Sequence, residues 1–139
     1  MDVYTASIPT KTKGNADMLD VTDGARRALR ESGMTEGQAT FFVSGSTAAL
    51  TTIEYEPGLQ RDYPEFFEKI APSSETYKHN QTWHDGNGHS HVRASLQGPS
   101  LVVPFANGDF LLGTWQQIIL VDFDTRPRSR DVVAQFIGK

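Results

Sequence analysis

The chain has 139 residues, 37% of them hydrophobic and 22% charged, which suits one soluble domain with its own core and excludes a disordered or low-complexity chain. A formal net charge of −4 at pH 7 argues against a protein that coats nucleic acid, because neutralising phosphates needs a basic surplus. Cysteine is absent, which removes disulfides, thiol nucleophiles, iron–sulfur clusters and Cys-type zinc sites, so any bound metal must take imidazole and oxygen ligands.

In chain order, residues 3–12 (VYTASIPTKT) alternate polar and apolar and predict an edge-like strand. A helix follows in DVTDGARRALRESGM, capped by Asp20 or Thr22, striped by Val21, Ala25, Ala28 and Leu29, and ended by Gly33. ATFFVSGS predicts a buried strand that stops at Ser44-Gly45-Ser46. AALTTIEYE predicts another, closed by Pro57-Gly58 and carrying Glu54. Residues 62–70 (DYPEFFEKI) predict a short helix with Asp62 as cap and Pro64 in its first turn. Beyond residue 98 the pattern is β-rich: SLVVPFANGDFLLG as two strands joined at Asn107-Gly108, then WQQIILVDFD, then DVVAQFI. No internal repeat is evident, and the mixture lacks a βαβ rhythm, so the expected fold is one α+β domain, a mixed or antiparallel sheet sandwich with a few helices. No apolar run approaches a bilayer span and the opening residues carry no hydrophobic signal segment, so the expectation is a cytoplasmic protein without membrane or nucleic-acid partners.

All four histidines fall in one stretch, YKHNQTWHDGNGHSHVRASL, at 79, 84, 89 and 91. Read as a strand, it puts His89, His91 and Arg93 on one face. Read as a helix, it is capped by Asn87, turns Val92 and Leu96 inward and stops at Gly98-Pro99. Ala94, Ser95, Leu96 and Gln97 suit the helix better than a half-buried strand. The DGNG turn then offers backbone N–H groups at a helix N-terminus, a place for phosphate. His79, His89 and His91 together with an oxygen ligand make a zinc-like donor set, whereas a solvated histidine such as His84 needs no function. Ser46 and Thr47 in the hydroxyl-rich turn, and Arg93, are expected to face the same phosphate-sized pocket. Glu54 is either an exposed edge residue or a placed acid, base or ligand. The arginines at 126, 128 and 130 in RPRSR form either a solvated basic turn or a phosphate clamp.

The runs STAALTTIEYEPGL, WHDGNGHSHVRASLQGPSLVVPF, LLGTWQQIILVDFD and RPRSR resemble the YjbQ family (UPF0047), also called the secondary thiamine-phosphate synthase family, over about residues 4–135. The resemblance implies an α+β sandwich assembled as a homotrimer. It also implies a weak transferase that joins a pyrimidine diphosphate to a thiazole phosphate with loss of diphosphate. It implies functional positions at Glu54, His79, Asp85, Asn87, His91, Ser95, Thr114, Trp115 and Gln116. In one departure, Gly45 stands where many members carry histidine. The expected roles are His79, His91, Asp85 and Glu54 in catalysis; Ser46, Thr47, Asn87, Gly88, Arg93, Ser95, Thr114, Trp115 and Gln116 in binding a phosphorylated small molecule; and His79, His89 and His91 at a divalent metal, zinc or magnesium. A metal-dependent hydrolase or lyase of a phosphorylated metabolite, and a non-catalytic trimeric binding module, are the alternatives.

Overall fold

A computed structural model describes residues 1–139. The strands are β1 (Asp2–Thr12), β2 (Asp17–Asp20), β3 (Gly37–Val43), β4 (Ala48–Ile53), β5 (Ser100–Ala106), β6 (Asp109–Phe110), β7 (Gln117–Asp122) and β8 (Arg128–Gly138). The helices are α1 (Thr22–Ser32), α2 (Leu59–Ile70), α3 (Lys78–Trp83) and α4 (Gly88–Gln97). Two sheets form, ordered β1-β8-β3-β5-β6 and β2-β7-β4. Every strand pair in both is antiparallel. No helix is long and apolar enough to cross a membrane.

The period of two in the strands decides the layering. Leu50, Ile118 and Leu120 turn to one side of the small sheet and meet Phe41, Val103, Phe105, Val132 and Phe136 of the large sheet, with Ala25 and Leu29 of α1 closing the core. Ile119, Val121 and Phe123 turn to the other side and meet Phe67 of α2 and Ala94 of α4. β7 is therefore buried on both faces, which is why IILV is a continuous apolar run rather than an alternating one. The order of layers is large sheet, small sheet, helices.

Several local expectations hold. Asp20 accepts from the backbone N–H and hydroxyl of Thr22 at the start of α1, and Gly33 ends that helix in the left-handed conformation. Asn107 and Gly108, both at positive φ, make the two-residue turn between β5 and β6. Others need correction. α2 starts at Leu59, before Asp62, because the Glu56 carboxylate accepts from the N–H groups of Gly58 and Leu59 and does the capping. β4 ends at Ile53, so Glu54 lies in the loop that follows and not on a strand. Arg128 and Arg130 belong to β8 rather than to a basic turn.

Candidate functional site

α4 forms where the helical reading placed it, between Asn87 and Gly98, but its faces are reversed. Val92 and Leu96 are exposed, at 45% and 62%. The buried face carries His89, Ser90, Arg93 and Ala94. It stays down because Ser90 and Arg93 find partners beneath it, as burial demands. The Ser90 hydroxyl donates to the Phe123 carbonyl, and Arg93 Nε donates to the Ala71 carbonyl at 2.9 Å. Arg93 Nη2 meets Glu68 at 2.7 Å. That last pair ties α4 to α2 and holds the Glu68 carboxyl down to about 2, first through the Arg93 hydrogen bond and then through the Ser73 N–H. Arg93 is a buried strut whose Nε and Nη2 are committed within the protein, not a pocket cation.

The helix N-terminus is also committed. Asp85 accepts from the Asn87 N–H at 3.1 Å, and the Asn80 side-chain oxygen accepts from the Gly88 N–H at 2.9 Å. The Ser90 and His91 N–H groups donate to the Asn87 carbonyl. Gly88 is needed for close approach, since a β-carbon there would stand 2.4 Å from Tyr77 Cβ. The amides expected to cradle phosphate therefore go largely to the protein itself.

Two of the three expected imidazoles meet. The rings of His79 on α3 and His91 on α4 lie 4.4 Å apart between centroids, and Asp85 Oδ1 stands 3.5 Å from His79 Nδ1. His89, two residues from His91 on a helix, projects to another side, 6.3 Å from the Tyr77 ring. Its Nδ1 is buried without a partner. No group of three His, Asp or Glu side chains is gathered for a metal, which corrects the expectation that His79, His89 and His91 converge: the helix that builds the site separates them. Burial holds both His89 and His91 below the usual histidine range. Arg93 adds to the effect at His89, and His79 adds to it at His91.

His91 opens onto a cavity of about 590 Å³ bordered by Gly45, Ser46, Ser95 and Pro99. Ser46 is exposed there, and the Ser95 hydroxyl donates to the Val92 carbonyl. Thr47 and Asn87 are not part of its wall, although Asn87 Oδ1 is buried without a partner. The Thr47 hydroxyl donates to Asp124 at 2.9 Å and accepts from Arg130, and the Asn87 amide donates to Asp124 at 3.1 Å. Behind the cavity stands a buried charge network that composition and motif did not reveal. Asp122 and Asp124 are 0% and 1% exposed. Arg130 pairs with Asp122 at 2.8 Å and Arg128 with Asp124 at 3.1 Å. The available signal was the carboxylates at period two inside the apolar VDFD, followed at once by three arginines; buried charges are stable only in such pairs. Hydrogen bonds from Thr47, Asn87, Arg126 and Arg128 outweigh burial and lower the Asp124 pKa.

The remaining residues lie apart from this cavity. Glu54 follows β4, and Thr114, Trp115 and Gln116 are exposed in the loop before β7. Gln116 is folded back there, accepting from the Gly113 N–H and donating to Thr52.

The profile of the family described as UPF0047 protein YjbQ-like matches residues 6–139. A UPF0047 protein of Archaeoglobus fulgidus is 37% identical over 125 residues, 90% of this chain and 94% of that one. Another, of Methanothermobacter thermautotrophicus, is 36% identical over 139 residues, 100% and 95% of the two chains. Among solved structures, a YbjQ-like protein of Sulfolobus solfataricus superposes with a TM-score of 0.94 at 32% identity, covering 99% of each chain. A hypothetical protein of Aeropyrum pernix gives 0.91 at 34%, covering 98% of this chain and 99% of that one.

Proposed function

The chain belongs to the UPF0047 YjbQ-like family, and from that premise we propose that it is a weak transferase of the thiamine-phosphate synthase kind. In this reaction the thiazole nitrogen forms a bond to the pyrimidine methylene carbon as the carbon–oxygen bond to diphosphate breaks. The electron pair leaves with the diphosphate, and no proton has to be removed. The protein's work is therefore to hold two substrates in line and to stabilise charge on the departing oxygen.

The observation that carries this reading is the His79–His91 pair at the edge of an open cavity lined by Ser46 and Ser95. Burial, with His79 beside it, lowers the His91 pKa and favours the neutral ring, whose N–H is offered to the leaving diphosphate. His79 packs against that ring, and Asp85 stands in ion-pair range of His79 to orient it. The donors at the cavity do not make a three-ligand metal set. The assembled form is a homotrimer in this reading, supported by the exposed Val92, Leu96, Val102, Leu111 and Trp115. The substrates are phosphorylated small molecules.

The test is an assay of purified protein with both halves, with and without added magnesium or zinc, following thiamine phosphate and released diphosphate together. Product is expected in wild type, with a loss of roughly a hundredfold in His91→Ala. Phosphate released from one substrate alone would point to the hydrolase instead. Binding of both without turnover under every metal condition would leave the non-catalytic module.

A further inference from the structure

In the charge network behind the cavity, Arg130 keeps one guanidinium nitrogen uncommitted. Arg130 gives Nε and Nη2 to Asp122, at 2.8 and 3.0 Å, and Nη2 also to Thr47. Its Nη1 has no such partner. That nitrogen lies against Gly45: a β-carbon at residue 45 would stand 2.6 Å from Nη1 and 3.6 Å from Cζ. Gly45 borders the cavity that Ser46, His91 and Ser95 also line. It is not among the glycines at positive φ, so backbone geometry does not require glycine here. What the missing side chain provides is room for the guanidinium tip.

We propose that Arg130, which stands behind Gly45 rather than in the cavity wall, is the anion-binding residue here, presenting Nη1 past Gly45 to a phosphate or diphosphate group that the Ser46 hydroxyl also meets. The two-point pairing with Asp122 fixes the plane of the guanidinium before any ligand arrives. Its remaining N–H groups suit a tetrahedral oxyanion. Asp122 and Asp124 offset the charges of Arg130 and Arg128, so attraction comes from directed N–H bonds at close range, and the affinity is modest.

This assignment deepens the transferase reading and rests on the same cavity being the substrate site. Gly45→Ala tests it without changing any charge, since the added methyl must push Nη1 aside. Arg130→Lys is the second variant: it keeps a cation beside Asp122 and removes the planar donors. Inorganic diphosphate is the probe, titrated by calorimetry at one fixed salt concentration, with cooperative thermal melts to establish folding. Both variants are expected to bind about tenfold more weakly or worse, as loss of a charge-assisted hydrogen bond implies. Wild-type affinity in folded Gly45→Ala, or no binding of diphosphate by wild type, overturns the assignment. If Gly45→Ala does not fold, Arg130→Lys decides by the same criterion. Diphosphate binding that depends on residue 45 in a protein without turnover refutes the transferase while this assignment stands; turnover with unchanged binding in the variants does the reverse.

Discussion

Arg93 shows how a residue can be legible as important and yet be misread in kind. A cation just after HSH suggests an anion ligand, but its partner Glu68 lies 25 positions away on a different helix, and local sequence carries no sign of that pairing. Removing it is expected to cost stability. Arg93→Ala strips the Ala71 carbonyl of a buried donor, a loss of about 1–3 kcal/mol by chemical denaturation; half-exposed Glu68 adds little more. The pH dependence distinguishes the two contributions. The Glu68 carboxyl sits at about 2 in the folded chain against an ordinary 4.5. Its contribution is complete above 4.5 and drains away as pH falls toward 2, because the unfolded chain takes up the proton first. The stability gap between wild type and Arg93→Ala should therefore narrow between pH 7 and pH 3, and an equal gap at both values contradicts the account. Asp122 and Asp124 left a local trace, two carboxylates in an apolar run just ahead of three arginines, but which arginine meets which carboxylate is set by the fold.

At the scale of the element, the start and end of α1 and the β5–β6 turn were readable, whereas the cap of α2 and side-chain direction were not. Asp20, Gly33 and Asn107-Gly108 act through neighbours one to three residues away, so sequence suffices to place them. The face of α4 was misjudged because Val92 and Leu96 satisfy a helical apolar pattern, while Ser90 and Arg93 turn inward only because Phe123, Ala71 and Glu68 await them. The separation of His89 from His91 follows from the same choice of helix over strand. α4 also depends on how tightly its first turn approaches Tyr77. Gly88→Ala places a methyl within 2.4 Å of Tyr77 Cβ, and the shift it forces should destabilise the fold by about 1–3 kcal/mol. It should also separate the His79–His91 pair, which α3 and α4 hold by that contact. A melting midpoint and a histidine NMR spectrum unchanged from wild type would show that the approach is slack.

At the scale of the whole molecule, the α+β sandwich was legible because continuous apolar runs and alternating ones distinguish a strand buried on two faces from one buried on a single face. The proposed assembly rests on what is left uncovered. Leu96 at 62% and Val102 at 54% exposure need cover in the proposed trimer. Light scattering at micromolar concentration should give three times the 15.4 kDa chain mass, and Leu96→Glu should lower it if α4 lies in the contact. A monomeric mass for wild type would remove the trimer from the functional reading.

β7 sets the pace of exchange with solvent. Ile118, Ile119, Leu120 and Val121 are each 0% exposed and their strand is flanked by β4 and β2. Their amide hydrogens can meet deuterium only when the entire domain opens, so they should be the slowest in the protein. The carboxylates that fix Arg130 sit at the end of that strand, while the Gly113–Gln116 loop just before it is open to water and should exchange in its earliest phase. Mass-resolved deuterium uptake would then show two lifetimes within a dozen residues. Asp122 at the end of β7 would follow the longer one, so the Arg130 guanidinium it fixes would hold its position for as long as the domain stays folded.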